Sequence, residues 1–123
     1  MMEIVKGASS DFSVLSGDDS MTLPLMVVGG VGCISVVANE VPREFSNLTR
    51  AALEKDFETA KTVHYDLLDL MKVNFIETNP LPVKTALSLM GRIEEVFRLP
   101  LVPMTPKNKE TLKEVLKKQK LIK

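Results

Sequence analysis

Two apolar segments in the first half of the chain have the pattern of short β-strands, at residues 12–16 and 33–37. The second is nearly continuous in apolar and β-branched residues, which is typical of a parallel strand covered on both faces. An apolar helix at residues 21–28 is predicted between them, because Pro24 is tolerated in a first turn and Gly29 can end a helix. The pattern therefore predicts a strand–helix–strand unit of the kind that builds parallel sheets.

Helical patterns flank this unit on both sides. Residues 1–7 predict a helix that Gly7 stops, although no capping residue precedes it. Pro42 opens the helix after the second strand, and Phe45 and Leu48 lie on one side of that helix. Two parallel strands do not form a sheet that stands alone, because the pair exposes two backbone edges and has little apolar face. We therefore expect this region to be a piece of a larger α/β fold and to self-associate through its open edges.

From residue 56 onward the sequence predicts helices only. Pro82 starts a helix that Gly91 ends, a short helix follows at residues 92–97, and residues 99–106 form a proline-rich loop. The apolar stripe of the first long helix consists of Phe57, Ala60, Val63, Leu67, Leu70 and Met71. The last helix is rich in lysine, and its buried stripe consists of Leu112, Val115 and Leu116.

The composition excludes several classes of protein. The 123 residues include 16 basic and 16 acidic ones, which argues against a general nucleic-acid or membrane-surface binder. The lysines after residue 106 have no aromatic residues between them, so a solvated helix is favoured over a nucleic-acid contact. No apolar run approaches the ~18 residues that span a bilayer. The first residues do not resemble a signal peptide and the single cysteine allows no internal disulfide, so the sequence predicts a cytoplasmic protein.

Four features are candidates for chemistry. The glycines of 29–32 resemble a phosphate-binding loop, but they end a helix and precede a strand, which favours a structural turn. Asp18 and Asp19 follow a predicted strand and are candidates for a metal or acid–base pair, whereas the alternative is that Asp19 or Ser20 caps the next helix. His64 lacks a second ligand at metal spacing and is interpreted as a packing or surface residue. Cys33 lies in a strand interior, where nothing lowers the pKa of a thiol.

Four segments carry a resemblance to a known family. They read LSGDD at residues 15–19, GGVGCISVVAN at 29–39, ETNPLPVK at 77–84 and RLPLVP at 98–103. In this order and spacing they resemble the C-terminal part of the 4-hydroxy-tetrahydrodipicolinate (dihydrodipicolinate) synthases, and the similarity covers essentially the whole chain. The NPLPVK run favours this family over the related sialic-acid and sugar-acid aldolases.

The resemblance implies an α/β fold that is predominantly helical. Members of the family are (β/α)8 TIM barrels followed by a helical extension, and they usually assemble as tetramers. Residues 12–16 and 33–37 would be barrel strands seven and eight. Residues 1–55 would then be the remnant of the barrel, comprising the end of helix six and the last two βα units. Residues 56–123 would be the C-terminal extension.

The resemblance also implies an activity for the intact enzyme. Family members are lyases of lysine biosynthesis that condense pyruvate with aspartate semialdehyde through a lysine Schiff base, without a cofactor or metal. The backbone carbonyl at the Ile34 position lines the pyruvate site, and the loop matching Gly17 and Asp18 borders the second substrate. The implied partners are therefore pyruvate, aspartate semialdehyde and other copies of the chain.

The Schiff-base lysine of the family is not expected in this chain. The run IVKGAS at residues 4–9 imitates the family's lysine segment, but only nine residues separate Lys6 from Ser16, where the family has a whole helix. Lys84 and Tyr65 belong to the extension and match no catalytic position. The sequence thus predicts a segment with no catalytic residue that is inactive alone. The alternative is an interaction or regulatory module that binds full-length subunits.

Overall fold

The computed structural model describes all 123 residues. Its main elements, in chain order, are α1 (Met2–Gly7), β1 (Leu15–Ser16), α2 (Thr22–Val27), β2 (Gly32–Cys33), α3 (Pro42–Leu53), α4 (Phe57–Val73), α5 (Leu81–Leu89) and α6 (Pro106–Lys118). Single 3-10 turns lie at Asp19–Met21 and Val37–Asn39. The chain forms two compact units, Met1–Leu68 (unit 1) and Asp69–Lys123 (unit 2). None of the helices combines the length and the apolar character needed to cross a bilayer.

The two strands of unit 1 pair in parallel, as the strand–helix–strand pattern predicts. Leu15 lies opposite Gly32 and Ser16 opposite Cys33, and α2 connects the strands. Both strands are shorter than predicted: Phe12 is 66% exposed and outside the sheet, and the chain turns into a 3-10 helix at Val37. Each strand has only one neighbour, so no strand on the other side extends its hydrogen-bonded length.

Local chemistry defines the ends of α2. The cap is Asp18, whose side chain caps the preceding 3-10 turn, and not Asp19 or Ser20 as predicted. Pro24 lies in the first turn of the helix, where a missing N–H costs nothing. Gly29 has a φ of +113°, a value that favours glycine. A Cβ added to Gly30 would lie 2.4 Å from the Leu25 Cγ. The predicted structural turn at residues 29–32 is confirmed, and it lies at the amino end of β2.

Helix α3 and the first turns of α4 form the core of unit 1. Pro42 occupies the first turn of α3, and Phe45 and Leu48 are buried as the apolar stripe predicts. One buried apolar cluster consists of Met26, Ala51, Ala52 and Ala60, with Leu23 packed against it. The Asp56 carboxylate accepts a hydrogen bond from the Thr59 N–H at 3.1 Å and so caps the start of α4.

Unit 2 is built on α5 and α6, whose apolar stripes are buried. Leu112 and Leu116 are fully buried, and Gly91, with a φ of +72°, lies just beyond the end of α5. The start of α6 is capped from a distance: the Glu77 carboxylate accepts from the Thr105 N–H at 3.0 Å and from the Asn108 amide at 2.8 Å. The predicted helices beginning near residue 82 and after residue 106 are confirmed within one or two residues.

The helix predicted at residues 92–97 is wrong. This segment is irregular, and several of its polar groups bond to side chains of neighbouring helices. The Lys84 ammonium donates to the Val96 carbonyl at 2.6 Å and lies 5.0 Å from the centre of the Phe97 ring. The Glu95 carboxylate accepts from the Thr85 hydroxyl at 3.3 Å and pairs with Lys109. These side-chain contacts hold the segment in an irregular path, without the i→i−4 backbone bonds of a helix.

Candidate functional site

The carboxyl ends of β1 and β2 bring two predicted site residues together. Because the strands are parallel and Ser16 lies opposite Cys33, the chain leaves both strands at one edge through Gly17 and Ile34. The Ile34 N–H donates to the Ser16 carbonyl at 2.8 Å, which extends the pairing by one bond. Gly17 is exposed, and the Ile34 residue is 70% exposed. The carboxyl edge of parallel strands is where α/β enzymes place their functional groups.

Asp18 fixes the loop that follows β1. Its Oδ1 accepts from the Ser20 N–H and from the Ser20 hydroxyl, both at 2.8 Å. The Ser16 hydroxyl donates to the Asp18 carbonyl at 2.7 Å. The Asp18 carboxylate is therefore an exposed cap of the 3-10 turn, beside the edge at which Gly17 and Ile34 meet.

Asp19 has a different environment from its neighbour. It is 1% exposed, and its Oδ2 accepts from the Val36 and Val37 N–H groups, each at 3.0 Å. The carboxylate thus joins the end of β1 to the segment after β2. No group of three or more potential metal-ligating side chains is found in the chain. Sequence reasoning missed the real partners of Asp19 because they lie 17 and 18 positions away and are backbone groups.

Cys33 lies beside Asp19 but is not poised for chemistry. Its Sγ is 3.7 Å from the Asp19 Oδ1. Burial raises the pKa of the Cys33 thiol to about 11, the charge of Asp19 adds to the increase, and a hydrogen bond with Thr22 opposes it. The thiol is therefore neutral at physiological pH and is a poor nucleophile.

The surface between the strand pair and α3 is an open groove of about 480 Å³. Its lining includes Leu15 from β1, Cys33 from β2, and Phe45 and Leu53 from α3. Apart from Cys33, no lining side chain titrates. The groove offers shape and backbone groups, and it contains no amine, imidazole or carboxylate for acid–base work.

The other residues with catalytic side chains lie away from this edge. Lys6 is exposed in the last turn of α1, and it does not follow a strand. Lys84 is held by the Val96 carbonyl within unit 2, and Tyr65 is an exposed residue of α4. His64 is buried, and desolvation lowers its pKa, so the ring is neutral and packs inside unit 1. The interpretation of His64 as a packing residue is confirmed.

Comparison with known proteins places the chain in a family. The sequence profile of the dihydrodipicolinate synthetase family matches residues 1–119. The chain belongs to the dihydrodipicolinate synthetase family. The 4-hydroxy-tetrahydrodipicolinate synthase of Aquifex aeolicus is 59% identical over 119 residues, which cover 97% of this chain and 40% of that protein. The resemblance carried by the four sequence segments is therefore confirmed.

Solved structures of dihydrodipicolinate synthases match the fold of the chain. The crystal structure of the Aquifex aeolicus enzyme superposes with a TM-score of 0.94 at 58% identity and covers 98% of this chain and 41% of that one. The chloride-inhibited enzyme of Acinetobacter baumannii, solved in complex with pyruvate, gives a TM-score of 0.94 at 37% identity, with 98% and 42% covered. The chain thus spans about 40% of the length of the curated relatives that it matches. These neighbours are TIM barrels, so the helices and the short parallel pair correspond to part of such a barrel enzyme.

Proposed function

We propose that this chain supplies the C-terminal part of a dihydrodipicolinate synthase. In this assignment β1 belongs to barrel strand seven and β2 to barrel strand eight, residues 1–55 are the barrel remnant, and residues 56–123 are the helical extension. The observation that carries the proposal is the superposition of 98% of the chain on 41% of the Aquifex aeolicus enzyme. The parallel pair supports it, because its carboxyl edge bears the residues expected to line the substrate site.

The proposed reaction of the intact enzyme joins pyruvate to aspartate semialdehyde. A lysine amine attacks the keto carbon of pyruvate, water leaves, and an imine forms. Loss of a proton from the pyruvate methyl group gives an enamine, whose carbon attacks the aldehyde. The pyruvate complex of the Acinetobacter baumannii relative supports pyruvate as the first substrate.

This chain contributes walls to the proposed site, and no reacting group. The Ile34 carbonyl lines the pyruvate position, and Gly17 and Asp18 border the second substrate. All three residues lie at the edge where β1 and β2 end, and the groove beside the strands has no amine. The Schiff-base lysine must come from a strand that precedes β1, so the chain alone is inactive.

The test is complementation with the part of the Aquifex aeolicus relative that this chain does not match. The chain alone should give no condensation of pyruvate with aspartate semialdehyde, and borohydride should trap no pyruvyl adduct on it. The mixture should be active, with the adduct on the complementing polypeptide. Activity of the chain alone, or a pyruvyl adduct on Lys6, would overturn the assignment.

An apolar groove in unit 1 supports a second candidate, an interaction module that binds full-length subunits. The groove has a volume of about 510 Å³ and lies between α2 and the first turns of α4. Val27 and Tyr65 line it and are more than half exposed. Adding the chain to the full-length Aquifex aeolicus enzyme should then change the mass of the assembly. A constant mass and constant activity at excess chain would reject this candidate.

A further inference from the structure

We propose that Asp19 is a positioning residue of the substrate site, whose buried carboxylate holds the backbone after β2 and thereby fixes the direction of the Ile34 carbonyl. The inference rests on the proposed function for what Ile34 faces. The hydrogen bonds that Asp19 makes are a property of this chain alone. An experiment can therefore reject the role of Asp19 without rejecting the proposed function, and the reverse.

Hydrogen bonds hold the backbone on both sides of Ile34. On one side, the Ile34 N–H donates to the Ser16 carbonyl at 2.8 Å. On the other side, the Val36 and Val37 N–H groups donate to the Asp19 Oδ2 at 3.0 Å. The Ile34 carbonyl lies between these two attachments, so its peptide plane is held on one side by the end of β1 and on the other side by the turn that follows β1.

The remaining bonds of this segment are local. The Ser35 hydroxyl accepts from the Ala38 N–H at 2.9 Å, and the Asn39 amide donates to the Val36 carbonyl at 2.9 Å. These bonds shape the 3-10 turn at Val37–Asn39, and they do not attach it to β1. Beyond the end of the strand pair, the attachment to the β1 side depends on the Asp19 carboxylate.

Burial makes this carboxylate costly to replace. A charged group that is 1% exposed must be compensated by donors, and two backbone N–H groups converging on one oxygen provide that compensation. If the acceptor is removed, two N–H groups in a partly buried segment lose their partner. The peptide group that joins Ile34 to Ser35, which contains the Ile34 carbonyl, is then free to rotate while the strand pair and α3 stay intact.

Asp18 is the matched control, because it is the adjacent carboxylate with a different task. It is exposed, and its Oδ1 bonds only to Ser20, two residues further on. A substitution there removes the same charge without touching Val36 or Val37.

The deciding experiment measures amide hydrogen exchange and the 13C shift of the Ile34 carbonyl in the full chain. Asp19→Ala should lower the protection of the Val36 and Val37 amides at least tenfold and should shift the Ile34 carbonyl resonance. Asp19→Asn keeps an amide oxygen as acceptor and should retain most of both signals. Asp18→Asn should leave both unchanged. The Leu48 amide, in the fully buried part of α3, reports whether each variant is folded.

Unchanged protection at Val36 and Val37 in folded Asp19→Ala, or an unmoved Ile34 carbonyl resonance, would overturn the proposal. Equal losses in Asp19→Ala and Asp19→Asn would overturn it too, because the role assigned to Asp19 is that of an acceptor.

If Asp19→Ala does not fold, the test compares the pKa of the Cys33 thiol in the Asp19→Asn and Asp18→Asn variants. Removing the Asp19 charge should lower the pKa of Cys33 more than removing that of Asp18, since Asp19 is the nearer carboxylate. Equal pKa values in the two variants would place the Asp19 carboxylate away from the Cys33 thiol and would overturn the geometry on which the proposal rests. Failure of complementation would leave all these results standing and would reject only the proposed function.

Discussion

The two compact units differ in where their apolar side chains meet solvent. In unit 2, every exposed large apolar residue lies in a connecting segment: Phe75, Ile76, Ile93, Val96, Leu99 and Val102. In unit 1, exposed apolar residues lie on the helices and strands as well as in connecting segments, as Ile4 on α1, Leu15 on β1 and Leu53 on α3 show. Regular elements with uncovered apolar faces are typical of surfaces that receive a partner. Unit 2 therefore covers its own helices, and unit 1 does so only in part.

Polar contacts follow the same division. In unit 2, Glu77 and Glu95 attach the connecting segments to α6 and α5 through side-chain bonds. In unit 1, the buried carboxylate of Asp19 attaches the segment after β1 to the segment after β2. Side-chain bonds thus attach the connecting segments of unit 2 to its helices, whereas in unit 1 they connect the ends of two strands that each keep one unpaired edge.

The largest effect is expected for a leucine that unit 2 buries. Leu112→Ala should destabilise unit 2 by about 2–5 kcal/mol, because it leaves a cavity where a fully buried side chain was. Leu53→Ala should change the stability of unit 1 by only about 0.5 kcal/mol, since Leu53 is 58% exposed. Denaturant titration followed by amide exchange in each unit measures both. Similar losses for the two variants would remove the contrast between the units.

A second prediction concerns the thiol at the strand edge of unit 1. The pKa of Cys33 is raised from 9.0 to about 11, mainly by burial, so the folded chain holds the proton that an unfolded thiol releases. Alkylation below pH 9 should be about a hundredfold slower in the folded chain than in the denatured chain, in proportion to the thiolate fraction. The folded state binds more protons between these pKa values, so its stability falls as pH rises from 9.0 towards about 11. Rapid alkylation of the folded chain at neutral pH would show that burial does not raise the pKa of this thiol.

The smallest effect is expected at the start of α6. Glu77→Ala should destabilise unit 2 by about 1 kcal/mol, because the Thr105 and Asn108 donors lose a capping carboxylate. The hydrogen bond from Thr105 lowers the pKa of Glu77 below 4.5, so this stabilisation is present above pH 4.5 and is lost as the pH falls through the lower, folded value. Glu110→Ala, which removes only an exposed pair with Lys113, is the control and should cost less. Equal losses of stability in Glu77→Ala and Glu110→Ala would show that the cap does not stabilise unit 2.

The helices were predictable because their signals are local. Pro42, Gly91 and the stripe of Leu112 and Leu116 each act within a few residues, and the structure places the corresponding helices within one or two residues of the prediction. The strand lengths were not predictable, since residues 12–14 and 34–37 have strand composition but no second partner to pair with. The irregular path of residues 92–97 also depends on distant residues, because Lys84 and Lys109 bind this segment from other helices.

The candidate site divides along the same line. Gly17, Asp18 and Ile34 are candidates because the motifs that contain them resemble those of the family, and the parallel pairing brings Gly17 and Ile34 to one edge. The role of Asp19 could not be read from the sequence, because its partners are backbone N–H groups of Val36 and Val37. A carboxylate beside a helix start is read as a cap unless a distant donor is known.

The most direct test of the account is the exchange rate of the β1 and β2 backbone amides, measured with and without the part of the Aquifex aeolicus relative that this chain does not match. If unit 1 is an unfinished barrel edge, a one-to-one complex should form, and the amides of residues 13–16 and 32–34 should gain protection of about a hundredfold or more as new strands pair with them. The amides of α6 should be unchanged. A complex that leaves the strand amides as they were, or two folded polypeptides that do not associate, would contradict the account.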